Sequence, residues 1–382
     1  MPLAIKKVFP ILALSAFSSV LGVGIIAPLL PLYAEGMGAT GIWIGIIFAS
    51  FSVSRAIVML FIGRLSDRKG RKPILVIGLL VFSINSLGYI WVNDVAGLIL
   101  VRLLQGFAGG MIIPVAQAYI GDLAPEGEEG KWMGYFSGAL FTGFGTGPLM
   151  GGLLAEHFGM DIAFYTMAGL NLIAFLAVAL FLPDIRHQIM AADLQSSLRE
   201  IAASGMIRGL FAFRLAFAVM RGTFSTFLPI LAGIYVGLSP SLIGILLAVN
   251  ALGMSLLQAP GGRIADRLNR RILVVLGCLI VVIVMVLLPS AGNFWQIFAI
   301  CVFLGVAGAI AIPSASALNV VEGRKFGMGV ATATFFFAFS VGMSIGPVLS
   351  GVIADYININ SVFYFTAVVM LVGTGIFSWF TR

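Results

Sequence analysis

The chain alternates long apolar stretches with short polar interruptions. Apolar runs extend over approximately 8–33, 41–63, 73–92, 96–121, 132–155 and 161–183, then 207–233, 240–262, 272–290, 293–319, 328–354 and 359–380. A helix rising about 1.5 Å per residue needs about 20 such residues to cross a hydrocarbon core of about 30 Å. The pattern therefore predicts twelve membrane-spanning helices, here called spans 1 to 12. Residues 1–183 are expected to form an N-terminal six-helix half and 207–382 a C-terminal one, joined by a cytoplasmic linker at 184–206. Within that linker Leu194, Leu198 and Ile201 recur at helical spacing, which predicts a surface helix.

The polar interruptions repeat. Gly63-Arg64-Leu65-Ser66-Asp67-Arg68-Lys69-Gly70-Arg71-Lys72 returns as Gly262-Arg263-Ile264-Ala265-Asp266-Arg267-Leu268-Asn269-Arg270-Arg271, 199 residues later. Pro114 and Pro313, Gly147 and Gly346, Pro148 and Pro347, and Gly152 and Gly351 keep the same offset. A constant offset without gaps means one unit used twice. The expected fold is an all-α membrane protein of two pseudo-symmetric six-helix bundles, the arrangement of transporters built from repeats.

Composition agrees with this pattern. Hydrophobic residues make up 60% of the 382 and charged residues only 10%, with a mean hydropathy of +1.11; soluble domains carry about 25% charged residues. The formal net charge of +7 would suit nucleic acid, but its placement points elsewhere. Lys6, Lys7, the basic residues from Arg64 to Lys72, Lys131, Arg186, Arg199, Arg208, those from Arg263 to Arg271, Arg324, Lys325 and Arg382 all fall on one side of the spans. Loops on the other side carry acids such as Glu35, Asp94, Asp161 and Asp355. The asymmetry predicts a multi-pass protein of the cytoplasmic membrane with both termini cytoplasmic. The first apolar run is too long for a signal peptide and reads as a retained span. Cys278 and Cys301 both fall inside spans, which argues against a disulfide framework or a thiolate metal site. No paired carboxylates, nucleophile triad or phosphate loop appears, so neither an enzyme nor a cofactor is expected.

Three motifs carry chemistry. In the loop after span 2, Gly63 permits close helix approach, Asp67 can face the positive end of a helix dipole, and Arg71 can pair with Asp122 at the end of span 4. Arg102 lies in span 4 within Val101-Arg102-Leu103-Leu104-Gln105-Gly106. In span 5, Gly134, Gly143, Gly147, Pro148, Gly151 and Gly152 follow the spacing G-x8-G-x3-G-P-x2-G-G. At these residues the chain resembles the major facilitator superfamily over essentially its whole length, and the span 5 motif is similar to that of its drug:proton antiporters. The resemblance implies a secondary transporter working by alternating access. It assigns gating to Gly63, Asp67, Arg71, Asp122 and Asp266, and proton coupling to Arg102, with Glu35 a further candidate. It assigns helix packing to the span 5 residues. Asn269 replaces the family's glycine in the second loop, so a less tight turn is expected there.

The charge inventory departs from many proton-coupled members of that family. All Asp and Glu residues fall in loops or near span ends, whereas Arg55, Arg102, Arg214 and Arg221 lie at membrane depth. Such groups face protein or a water-filled cavity rather than lipid. Uncompensated positive charge attracts anions, and a guanidinium suits a carboxylate or phosphate. Arg55, Arg214, Arg221, Asn250 and Gln258 are therefore the candidate substrate-binding residues. The alternative is that the arginines bond to backbone carbonyls or to Asn250, Gln258 or Gln117. The expected function is proton-linked efflux of small amphipathic molecules, drug-like or anionic. Its alternative is exchange or uptake of organic anions or phosphorylated metabolites without a titrating core carboxylate. The partners expected are a small-molecule substrate, protons or a counter-anion, and membrane lipid, with the protein acting as a monomer.

Overall fold

The computed structural model describes residues 2–123, 125, 129–183, 204–326 and 328–381. The surface helix expected in the linker lies outside the described residues. Span 1 forms α1 (Pro2–Ile26) and a short α2 (Leu30–Gly36). Spans 2 to 6 are α3 (Gly41–Lys69), α4 (Arg71–Trp91), α5 (Val95–Leu123), α6 (Glu129–Phe158) and α7 (Met160–Phe181). Spans 7 to 12 are α8 (Gly205–Ile230), α9 (Pro240–Arg267), α10 (Arg270–Leu287), α11 (Phe294–Phe326), α12 (Met328–Tyr356) and α13 (Ile359–Phe380). Every long helix except the glycine-rich α6 is apolar enough, by length and composition, to cross a membrane. No strand occurs among the described residues.

Span 1 breaks where the apolar run does not. Pro28 lacks an amide proton and restricts Ala27, so the chain makes a turn with Leu29 N donating to the Ile26 carbonyl before α2 begins. Span 7 continues beyond α8 as a π turn, Leu231–Tyr235, which begins two residues after Pro229.

The charged segment after span 2 was expected as a loop, but it is mostly helix. Isolated charges do not end a helix that has left the apolar layer, so α3 runs to Lys69 and only Gly70, at φ 94°, interrupts it before α4. The second copy solves the turn differently. Asn269 has φ −64° and accepts a hydrogen bond from Arg271 N at 3.0 Å as the N-cap of α10. The same exchange recurs three helices further on. Gly159, at φ 89°, precedes α7, whereas Asn358, 199 residues later, is extended and caps α13 through Ser361 N.

Two compact units result. The first comprises Met1–Gly38, Ser50–Met190 and Ser239–Ala248; the second comprises Ala39–Ala49, Ala191–Leu238 and Val249–Arg382. The opening segment of α3, from Ala39 to Ala49, belongs to the second unit, and that of α9, from Ser239 to Ala248, to the first. In the first unit α1 packs on α6 and α7, and α4 on α5 and α7. In the second, α8 packs on α12 and α13, and α10 on α11 and α13.

Candidate gating and substrate-binding residues

In the first unit a charged pair joins the ends of two helices. Gly70 lets α4 start directly after α3, placing Arg71 in the first turn of α4. There its Nε and Nη2 bond both carboxylate oxygens of Asp122 at the end of α5, with Nη2 to Oδ1 at 3.2 Å. A two-point guanidinium–carboxylate pair is directional as well as attractive. The side chains of Asp67 and Asp266, and the packing of Gly63, lie outside the described residues.

Arg102 is buried on α5. Its Nη1 donates to Gln105 Oε1 at 2.8 Å, and its guanidinium stands 4.5 Å from the centre of the Phe51 ring. Tyr89 from α4 donates to the same Gln105 oxygen at 2.7 Å. The amide therefore gathers two donors, while Nε2 of Gln105 points to Met167 Sδ at 3.7 Å. Sequence reasoning missed Tyr89 and gave Gln105 no role, although a glutamine three residues from a membrane arginine sits on the same helix face. Glu35, the second coupling candidate, is exposed on α2.

The span 5 glycines divide by direction. A Cβ on Gly143 would lie 3.0 Å from the Phe17 carbonyl, and one on Gly147 would lie 2.7 Å from Gly24 Cα. A Cβ on Gly151 would overlap the Ile25 carbonyl. These three make the crossing of α6 with α1, alongside Pro148. Gly134 does not belong to it: a Cβ there would meet nothing within 4 Å, because the position is exposed. Gly152 faces the opening turn of α9 instead, where a Cβ would overlap the Pro240 carbonyl. Pro148 does not break the helix, and α6 passes through it.

Arg55 lines a small recess with Ser19, Val20, Phe51, Ile113 and Phe144. No hydrogen bond or ion pair reaches it from the described residues.

In the second unit Arg214 and Arg221 lie on one face of α8, seven residues apart. Arg221 Nη1 donates to Asn250 Oδ1 at 2.8 Å, and Asn250 Nδ2 in turn donates to the Cys301 carbonyl at 3.3 Å. The pairing with Asn250 is the alternative weighed in the sequence, and it leaves the charge of Arg221 uncompensated. Arg214 is 8% exposed and lies between two rings of α12, 4.7 Å from Phe335 and 4.3 Å from Phe339. Its Nε has no hydrogen-bond partner among the described residues. Phe335 is buried, whereas its neighbours Phe336 and Phe337 are exposed. Gln258 is half-buried on α9 and makes no hydrogen bond among the described residues. The described carboxylates all sit near helix ends, so none meets these arginines at mid-helix.

The model of the Major Facilitator Superfamily matches residues 12–234 and 210–382. An MFS-type transporter of Methanocaldococcus jannaschii is 32% identical over 389 residues, covering 98% of this chain and 97% of its own. Multidrug resistance protein 2 of Bacillus subtilis is 28% identical over 97% of this chain and 94% of its own. Among solved structures, a bacterial homologue of the human lysosomal transporter Spinster superposes with a TM-score of 0.87, covering 99% of this chain and 97% of its own. Its sequence identity is 15%, so this likeness concerns the fold. With the family's model matched across both halves and a full-length relative above 30% identity, the chain belongs to the Major Facilitator Superfamily of membrane transporters.

Proposed function

We propose that this transporter works by alternating access and exports small amphipathic molecules bearing a negative charge. The observation that carries the substrate class is the set of arginines without carboxylate partners. Among the described residues, Arg214 is held between Phe335 and Phe339 with a buried, unbonded Nε, and Arg221 meets only the neutral amide of Asn250. A buried guanidinium with no anionic neighbour is costly, and a substrate carboxylate, sulfonate or phosphate offsets that cost on binding. The two rings supply an apolar shelf beside the charge, which suits an amphipathic anion. Export is supported by full-length similarity to a protein named for multidrug resistance and by the glycine spacing of span 5.

Proton coupling has no carrier at mid-helix among the described residues. The proton is therefore carried by the substrate or by a group near a helix end. The second reading is anion exchange, which needs no titrating side chain; the Arg221–Asn250 pair favours it, since neither group changes protonation in the physiological range. Binding of organic anions to purified protein tests the substrate class. Arg214→Gln and Arg221→Gln are expected to weaken binding at least tenfold. Unchanged affinity in both variants would end the anion assignment.

A further inference from the structure

The recess at Arg55 is walled by helices of the first unit. Ser19 and Val20 come from α1, Phe51 and Arg55 from α3, Gly109 from α5 and Phe144 from α6. Glycines on α5 set its size. A Cβ on Gly106 would overlap the Phe51 carbonyl, and one on Gly110 would stand 3.1 Å from the Arg55 carbonyl, so these two draw α5 against α3. Gly109 does the opposite. A Cβ there would come no closer than 3.8 Å to the Phe51 ring, so the missing side chain leaves a gap rather than a contact. The gap has room for about one water-sized particle.

Two donors line this gap without partners. Ser15 and Ser18 on α1 return their hydroxyls to the Ile11 and Ser15 carbonyls at 2.8 and 3.1 Å. Ser19, one residue on and 1% exposed, makes no hydrogen bond among the described residues. Arg55 has neither a hydrogen bond nor an ion pair among them. Phe51 adds positive character: Arg102 stands 4.5 Å from the centre of its ring, and its Cε2 and Cζ atoms are the ring atoms nearest Gly109. The rim of an aromatic ring is the positive part of its quadrupole. No acid lies close by to balance these charges. Along the four walls the carboxylate nearest to a lining residue is Asp122, about 14 Å along the helix axis from Ile113, and it is already paired with Arg71.

We propose that this recess is a binding site for one small inorganic anion of the halide class, with chloride held by Arg55 and Ser19 against the rim of Phe51. The gap is too small for a tetrahedral oxyanion or an organic carboxylate, and its apolar walls favour a weakly hydrated ion. A buried guanidinium without a counter-charge is costly, and the halide offsets that cost. The stability of the first unit therefore depends on the anion supplied. Arg214 and Arg221 belong to the second unit, and the site at Arg55 does not rest on the substrate class assigned to them.

The test is quadrupolar chloride NMR on the purified protein in detergent, with sodium gluconate holding the ionic strength constant. Bound chloride broadens the signal, and saturable broadening is expected in wild type. Arg55→Gln should weaken the affinity at least about tenfold, and Ser19→Ala about threefold. Gly109→Ala puts a methyl group into the gap without striking backbone, and should weaken binding about fivefold while its melting temperature in gluconate is unchanged or raised. Chloride should raise the wild-type melting temperature above that in gluconate by mass action, and sulfate should not. Arg214→Gln should leave chloride binding unchanged. No saturable broadening in wild type, or broadening that survives in both Arg55→Gln and Gly109→Ala, would overturn the site. Loss of broadening in Arg214→Gln, with Arg55→Gln unaffected, would place the anion in the second unit and overturn it as well. Chloride binding as described, beside organic-anion affinity indifferent to Arg214 and Arg221, would support this site and end the substrate assignment alone.

Discussion

Gly147 and Gly134 belong to one glycine spacing, yet the structure gives them opposite roles, which makes the pair a controlled experiment. A Cβ at Gly147 would stand 2.7 Å from Gly24 Cα and 2.9 Å from the Leu21 carbonyl, all backbone atoms that cannot rotate away. Reaching an ordinary contact requires α6 and α1 to part by about 0.7 Å along a tightly packed crossing, and such overpacking costs about 1–3 kcal/mol. At Gly134 no atom stands in the way. Both substitutions to Ala gain the same helix propensity, about 1 kcal/mol relative to glycine, so the difference between them isolates the crossing. Gly134→Ala should raise the apparent melting temperature of the purified protein, and Gly147→Ala should melt roughly 1–4 °C below it. The assay is thermal unfolding in one detergent, followed by tryptophan fluorescence. Equal melting temperatures, or a more stable Gly147→Ala, would refute the close approach of α1 and α6.

Three further outcomes are expected. Arg71→Gln and Asp122→Asn should each slow transport, and a double-mutant cycle on stability should give a coupling of about 1 kcal/mol, because the pair is only partly shielded from solvent. Replacing Asp67 by Ala should impair transport while leaving membrane insertion intact, as read by surface labelling and vesicle uptake. The Ser239 hydroxyl, and then the side chain and backbone of Ser241, hold the Glu156 carboxyl below the usual carboxylate range, with His157 nearby acting in the same direction. A depressed carboxylate contributes stability above its unfolded pKa and loses it only as pH falls through the lower folded value. The hydrogen bond from Ser241 N to Glu156 should therefore persist through the neutral range and fail only under strongly acid conditions; loss of amide-exchange protection at Ser241 between pH 8 and pH 6, beyond the intrinsic pH dependence of exchange, would contradict this.

Much of the fold was written in the apolar rhythm. The twelve runs and their repeat are long-range periodic signals, and the helices follow them closely. Boundaries were less legible where local backbone chemistry decides. Charge alone suggested a loop from Gly63 to Lys72, but the helix stops only at Gly70, and Pro28 divides a run whose hydrophobicity never falls. The site was legible in its ionic members. Arg71 with Asp122 was recognisable from opposite charges at neighbouring span ends, and Arg221 with Asn250 was among the alternatives considered. The neutral partners were not, because Tyr89, Gln105 and Phe339 acquire meaning only once the helices are rotated against one another. The glycine motif showed its close packing but not its direction: Gly152 serves one crossing, Gly147 another, and Gly134 none. The hydrogen bonds that Glu156 accepts from Ser241 N, and Asp355 from Gly41 N and Ile42 N, were within reach, since the offset that matched the glycines matches these acids as well.

Arg214 and Arg221, which meet no carboxylate among the described residues, should select an anionic substrate. Purified protein in proteoliposomes, offered an amphipathic organic anion and a cationic dye in parallel with and without an imposed pH gradient, tests it most directly. Saturable movement of the anion is expected, lost in Arg214→Gln and Arg221→Gln, with little movement of the dye. Dye transport driven by the gradient and indifferent to both substitutions would contradict it.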